Sequence, residues 1–226
     1  MRKLGPQDAT QAATDDTTSA HRSIERRMAH QANTAARDGK RTLLGQGTLD
    51  LPGIGEVWLV WSAAGIALLS LPSREPSSIE AEMVDRGLVP PPVAEVPAEY
   101  ADALLGYAAG DPIDPATLPV DLEGTPFQRR VWQALRRIPR GQVRSYAGIA
   151  ADVGSPRGMR AVGMANRENP IAIVVPCHRV VERGLGLGGY SGGLDMKRQL
   201  LQLEGVRVDA GKVIPGQLEL WDRLDA

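Results

Sequence analysis

The stretch "SYAGIAADVGSPRGMRAVGMANRENPIAIVVPCHRVV", Ser145 to Val181, decides how this chain is read. Ser145 can cap a short helix over "SYAGIAADVG" that Gly154 ends. Ser155 and Pro156 can then open a second helix over "SPRGMRAVGMANREN". Two short helices joined by a glycine-containing turn, with arginines on the second, form a helix-turn-helix pattern, although any pair of packed helices gives the same signal. The apolar run "PIAIVV" follows and predicts a buried strand or extended segment. It delivers the only cysteine of the chain, Cys177, behind Pro176 and directly before His178 and Arg179.

Upstream, Thr125 is a suitable N-cap and Pro126 suits a first helical position. "TPFQRRVWQALRRIP" should therefore start as a helix, with Phe127, Val131, Leu135 and Ile138 facing a core and its arginines in solvent. Downstream, "RGLGLGGYSGG" is too rich in glycine for a regular element; it reads equally as a mobile surface loop or as backbone that approaches a ligand closely. "LDMKRQLLQLEG" predicts a closing helix, with Leu194, Leu200, Leu201 and Leu203 inward and Gly205 as its stop. Glu204 sits in the last turn, where the helix dipole does not favour a carboxylate, so another partner is expected to hold it.

The flanks divide the chain. Residues 1–41 have almost no large apolar side chains and read as a disordered or loosely attached segment. Residues 42–123 read as a small α/β amino-terminal domain. Strands "GEVWLVWS" and "AAGIALLSL" meet at a tight turn near Ala64 and Gly65, helices follow at "PSSIEAEMVDRG" and "PAEYADALLGYAAG", and an acidic, proline-rich linker closes the domain. Residues 124–206 form the second module, and 207–226 a carboxy-terminal tail. The expected fold class is α/β (α+β): a small domain with a short antiparallel sheet and helices, plus a mostly helical domain containing the helix-turn-helix.

The formal net charge of -1 hides an asymmetry. Gly124 to Gly205 holds 13 Lys and Arg against five Asp and Glu, a local +8, and the rest of the chain carries -9. Such a basic module is the footprint of a polyanion binder, or, less specifically, a solvated basic face. No apolar run is long enough to span a bilayer, so no membrane role is expected. With one cysteine there can be no intramolecular disulfide framework, and the amino terminus lacks the apolar segment of a secretory signal; both point to a reducing cytoplasm. His21 and His30 lie far from Cys177 in the chain, so no metal-ligand spacing is present, and no cofactor is expected.

A lone cysteine is more often a buried small hydrophobe than a nucleophile. Against that, Cys177 precedes two cationic residue types, and such neighbours lower a thiol pKa. In an extended segment, however, residues 177 and 178 point to opposite sides, so His178 would need a water or a bend to reach the sulfur.

"PCHRVV", with "RAVGMANRENP" before it and "GLGGYSGG" and "KRQLLQLEG" after it, resembles the O6-alkylguanine-DNA alkyltransferases, also called methylated-DNA-protein-cysteine methyltransferases. The resemblance covers roughly Gly124 to Gly205, and the amino-terminal domain shares only the general layout. It implies that residues 124–206 are a DNA-binding and alkyl-acceptor domain. Cys177 would take the alkyl group from guanine O6, and from thymine O4, as a thioether that is not hydrolysed, so each molecule would act once. His178 would draw the thiol proton through a water, with Glu204 orienting it, Asn169 bracing the turn and Tyr146 donating a proton to the departing guanine. Gly189, Tyr190, Ser191 and Val180 would enclose the base. Arg160 would fill the gap left when the nucleotide rotates out of the stack, while Ala161, Gly163 and Ala165 allow close approach to the backbone; Arg167 and Ser145 would also contact DNA. The implied partner is double-stranded DNA containing O6-alkylguanine, with no obligate protein partner, the chain acting as a monomer. Met164 departs from the small residue expected on that helix, and Arg167 and Glu168 add a charge pair beside Asn169. A lesion sensor of similar fold lacks the acceptor cysteine, a helix-turn-helix regulator leaves Asn169, Tyr190 and Glu204 without a purpose, and adjacent Cys and His make a poor hydrolase dyad.

Overall fold

A computed structural model describes residues 42–72, 76–85 and 88–214. The segment expected to be loosely attached, 1–41, and the end of the expected tail lie outside these residues. The amino-terminal part opens with an antiparallel sheet in the order β1 (Leu43–Leu51), β2 (Gly55–Ser62) and β3 (Gly65–Ser70). The β2–β3 turn falls at Ala64 and Gly65 as the sequence predicts. Strand β1 is not among the predicted elements: Gly45 and Gly47 interrupt its apolar pattern. Both glycines are required, because a side chain at Gly45 would run into the Trp61 ring and one at Gly47 into the Ala94 carbonyl.

Helices α1 (Pro76–Asp85) and α2 (Ala98–Ala109) follow. Gly110 ends α2 at φ 91°, a left-handed cap open to glycine. Neither sheet edge is left bare, and the covering segments matter to the site. Residues 92–94 pair with Gln46 on one side. On β3, Ile66 bonds to residues 119 and 121, and Leu69 bonds to Pro170 and Ala172. The amino-terminal sheet thus anchors the start of the segment that leads to Cys177.

The basic module holds α3 (Pro126–Leu135), α4 (Tyr146–Asp152), α5 (Met159–Arg167) and α6 (Leu194–Leu203). Thr125 caps α3 in a reciprocal box with Gln128, and Ser145 caps α4 by accepting the Gly148 N–H at 3.0 Å. Helix α5 begins later than expected. Residues 155–158 form a turn closed by Gly158 N to Ser155 O at 2.7 Å, so Gly158, not Ser155, occupies the cap. Trp132 Nε1 donates to Ala165 O at 2.8 Å and pins α3 to α5. A two-residue parallel pair joins β4 (Arg144–Ser145) to β5 (Val180–Val181).

One hydrophobic core runs through both parts. It includes Val57, Leu59, Leu104 and Tyr107 from the first and Val131, Leu135, Val162 and Cys177 from the second. Leu200 and Leu201 of α6 are buried, but Leu194 is 48% exposed at the helix start, against the inward placement expected of it. The expected tail begins with a hairpin, β6 (Val208–Asp209) and β7 (Lys212–Val213). It packs against Val143, Val181, Leu187, Leu201 and Val206.

Candidate active site and DNA-facing surface

The segment before Cys177 is buried as predicted but is not a strand. Only Ile171 bridges to the sheet, and two three-residue turns follow. Val174 N bonds to Ala172 O at 2.8 Å around Ile173, which sits at φ 66°. A β-branched residue there costs of order 1–3 kcal/mol and persists only where the surroundings over-determine it. Cys177 N bonds to Val175 O at 2.8 Å around Pro176 (φ -80°, ψ 65°), a geometry that the proline ring favours. Cys177–Arg179 then form one 3-10 turn. Asn169 ties the ends of this loop together: Nδ2 donates to Val175 O at 2.7 Å and to Cys177 Sγ at 3.1 Å, and Oδ1 accepts from Ile171 N at 3.1 Å.

The bend sends three neighbouring side chains in different directions. His178 is fully buried, and its Nε2 meets Glu204 Oε1 at 2.9 Å. Burial pushes its pKa down despite the carboxylate, so the ring is neutral. With the proton on Nε2 facing Glu204, Nδ1 is the base; it is buried and has no hydrogen-bond partner among the described residues. Arg179, also fully buried, turns away from the thiol. It donates to Glu204 through Nε and Nη2 (both 2.9 Å), to Asp114 Oδ1 at 2.8 Å and to Ile138 O at 2.6 Å. Tyr107 OH donates to Glu204 Oε1 at 2.9 Å. Although burial opposes its charge, His178 and Arg179 hold the Glu204 carboxyl well below the usual carboxylate range.

Burial pushes the Cys177 thiol up, and the Asn169 amide and the Lys197 ammonium pull it back. The cation that lowers the thiol pKa is Lys197, twenty residues away in sequence, rather than Arg179, two residues on. Lys197 is fully buried, donates to Val180 O at 2.6 Å and to Leu187 O, and has its own pKa pushed down to about 8 by burial.

A cleft of about 470 Å³ opens over the sulfur, lined by Tyr146, Gly163, Asn166, Arg167, Cys177, Gly189, Tyr190 and Ser191. The Tyr146 ring lies against Gly188, where a Cβ would come within 3.2 Å of Cε2. Val180, expected at the base, is not among the lining residues; it is fully buried. Asn166 was not anticipated. It is buried, both polar atoms of its amide lack a well-formed hydrogen bond among the described residues, and the amide lies near enough to the Tyr146 hydroxyl to pull that phenol's pKa down.

Arg160, Ala161, Met164 and Arg167 are exposed on α5. Ala165 instead packs in the core, and Ser145 is buried with its hydroxyl serving as the α4 cap, which removes it from this DNA-facing surface. The charge footprint is smaller than the sequence count. Arg144, Arg179 and Lys197 are buried, and Arg136, expected in solvent, is half-buried and donates to Ala116 O and Leu118 O.

A helix-turn-helix with exposed arginines beside a cleft floored by a braced cysteine defines a DNA-binding protein with a nucleophilic thiol at its binding face. Residues 126–206 match the family model described as the 6-O-methylguanine DNA methyltransferase DNA-binding domain. A methylated-DNA-protein-cysteine methyltransferase of Mycolicibacterium paratuberculosis is 49% identical over 144 residues, which is 62% of this chain and 87% of the relative. The crystal structure of Mycobacterium tuberculosis OGT in complex with DNA superposes with a TM-score of 0.62 at 38% identity, covering 71% of this chain and 92% of that one. The O6-methylguanine-DNA methyltransferase of Pyrococcus kodakaraensis KOD1 gives 0.57 at 28% identity, covering 71% and 99%. The chain belongs to the methylated-DNA-protein-cysteine methyltransferase family, DNA-repair proteins that transfer an alkyl group from DNA to a cysteine of their own.

Proposed function

We propose that the chain repairs double-stranded DNA by moving the alkyl group of O6-alkylguanine, and the methyl of O4-methylthymine, to Cys177, once per molecule. The observation that carries this reading is Cys177 Sγ at the floor of the cleft, held by Asn169 at 3.1 Å beside the buried His178–Glu204 pair. The raised thiol pKa supports deprotonation during the reaction rather than before it. The thiol proton passes through a water to His178 Nδ1, the S–C bond forms as the C–O6 bond breaks, and Tyr146 supplies a proton to the departing guanine. Glu204 then faces an imidazolium and stabilises it. The target atom lies inside a duplex, so the nucleotide must rotate into the cleft, with Arg160 entering the gap and Arg167, Tyr190 and Ser191 at its walls. The protein acts as a monomer, in a cytoplasm that keeps its single thiol reduced.

Incubation with a duplex containing O6-methylguanine, followed by peptide mass mapping, tests the reading. One methyl on Cys177, at most equimolar with protein, and no transfer in Cys177→Ala are expected. Multiple turnovers, or restored guanine with unmodified Cys177, would overturn it.

A further inference from the structure

Glu204 Oε1 receives three donors, each at 2.9 Å: His178 Nε2, Arg179 Nη2 and the Tyr107 hydroxyl. Two come from the turn that carries Cys177. The third comes from α2, in the amino-terminal part of the chain, 97 residues away. Tyr107 is completely buried, with the Arg140 guanidinium 5.3 Å from its ring centroid. Glu204 Oε2 is occupied by Arg179 Nε at 2.9 Å and, more weakly, by Gly141 N at 3.4 Å. The carboxylate would thus keep its position through Arg179 if Tyr107 lost its hydroxyl, so holding the carboxylate in place does not account for that third bond.

We propose that Tyr107 is a positioning residue of the alkyl-transfer reaction: its hydroxyl draws charge from Glu204 Oε1 and so sets how strongly His178 takes the acceptor thiol's proton. The inference rests on the function proposed above. A neutral donor on a carboxylate oxygen competes with the imidazole N–H for the same lone pairs and weakens the stabilisation of an imidazolium. The other charges facing His178 are those of Arg179 and Lys197, both of which disfavour its protonation, and the Cys177 thiol lies beside it in sequence. Asp114 faces Arg179 on the far side. Without the Tyr107 hydroxyl, Glu204 accepts more strongly from His178, and the imidazole holds a proton to higher pH. The amino-terminal part therefore contributes an atom to the proton-transfer chain as well as packing surface.

The test compares wild type with Tyr107→Phe, which preserves the ring and removes only the donor. Benzyl transfer from free O6-benzylguanine to Cys177 is followed across pH 5 to 9, so that DNA binding plays no part. The acid limb of the rate profile should move up by about half to one pH unit, the size of one hydrogen bond, with the limiting rate at high pH within about threefold of wild type. Imidazole nitrogen shifts of unalkylated protein, assigned through His178→Asn, should show His178 titrating higher by the same amount. An unmoved limb and an unmoved His178 titration overturn the inference, whether or not the rate falls uniformly. Failure of wild type to become benzylated on Cys177 would instead remove the proposed function, while the imidazole titration would still decide whether Tyr107 tunes His178.

Discussion

Asn166 carries two buried polar atoms that, beyond the amide's pull on the Tyr146 hydroxyl, make no well-formed hydrogen bond among the described residues, at the wall of the cleft that holds Cys177. An unpaired buried amide costs of order 1–3 kcal/mol, so its place is explained if a bound base supplies the partner. Asn166→Leu should then leave the denaturation midpoint unchanged or raised. Alkyl transfer should slow about tenfold on a duplex and on free O6-benzylguanine alike, the size of one lost substrate hydrogen bond. Unaltered rates on both substrates would show that Asn166 does not face the base. Nothing in the sequence marks Asn166, because a polar residue on a short helix reads as surface until burial is known. The same limit affects the cations. Arg179 beside Cys177 suggests thiol activation, yet the 3-10 turn sends it to Glu204 and Asp114, and Lys197 takes that place. Adjacency in sequence says little about direction where the backbone bends.

At the scale of elements, capped and periodic segments were legible and strained ones were not. Thr125, Pro126, Ser145 and Gly205 mark real helix ends through local hydrogen bonds that their own side chains or φ values dictate. The loop "PIAIVV" could not be read as two tight turns, since Ile173 at positive φ contradicts its own propensity and is held there by the Asn169 bonds and the β3 edge. Helix α5 lies between these cases: its cap is Gly158, three residues after the Ser155 that the sequence suggests, yet its exposed face carries Arg160, Ala161 and Arg167. Arg160 stands clear of the thiol network, so Arg160→Ala should slow repair of duplex O6-methylguanine at least about tenfold. Reaction with free O6-benzylguanine should change less than about twofold, because only the duplex requires a nucleotide to be rotated out. Equal losses on both substrates would place Arg160 in the chemistry or in folding. Met164 is 63% exposed on the same helix and is not among the residues that line the cleft.

The whole molecule ties its acceptor turn to both halves of one core, and its buried ionisable groups make that core pH-dependent in two separate windows. Glu204 titrates far below its ordinary 4.5, so its contribution is complete above that value and drains away as pH falls through the depressed one. His178 titrates below its ordinary 6.5, so the unfolded chain binds more protons and stability falls on acidification from 6.5 downward. Lys197 works at the other end. Its pKa is about 8 when folded and 10.5 ordinarily, so between these values the unfolded chain again binds more protons and stability rises with pH. The raised pKa of Cys177 opposes this rise above its ordinary 9, and those of Tyr107, Tyr146 and Tyr190 reverse the slope above their ordinary 10. Urea unfolding of the unalkylated protein should therefore show a denaturation midpoint that drops from pH 6.5 to 4.5, climbs between about pH 8 and 9, levels where Cys177 offsets Lys197 and declines beyond 10. The alkaline gain should be of order 1–2 kcal/mol, from roughly one unit of unopposed slope at about 1.36 kcal/mol per unit. In Lys197→Met the climb should vanish while the acid branch remains. A flat profile between about pH 8 and 9 in wild type would mean that the two carbonyls bonded to Nζ already offset the burial of its charge.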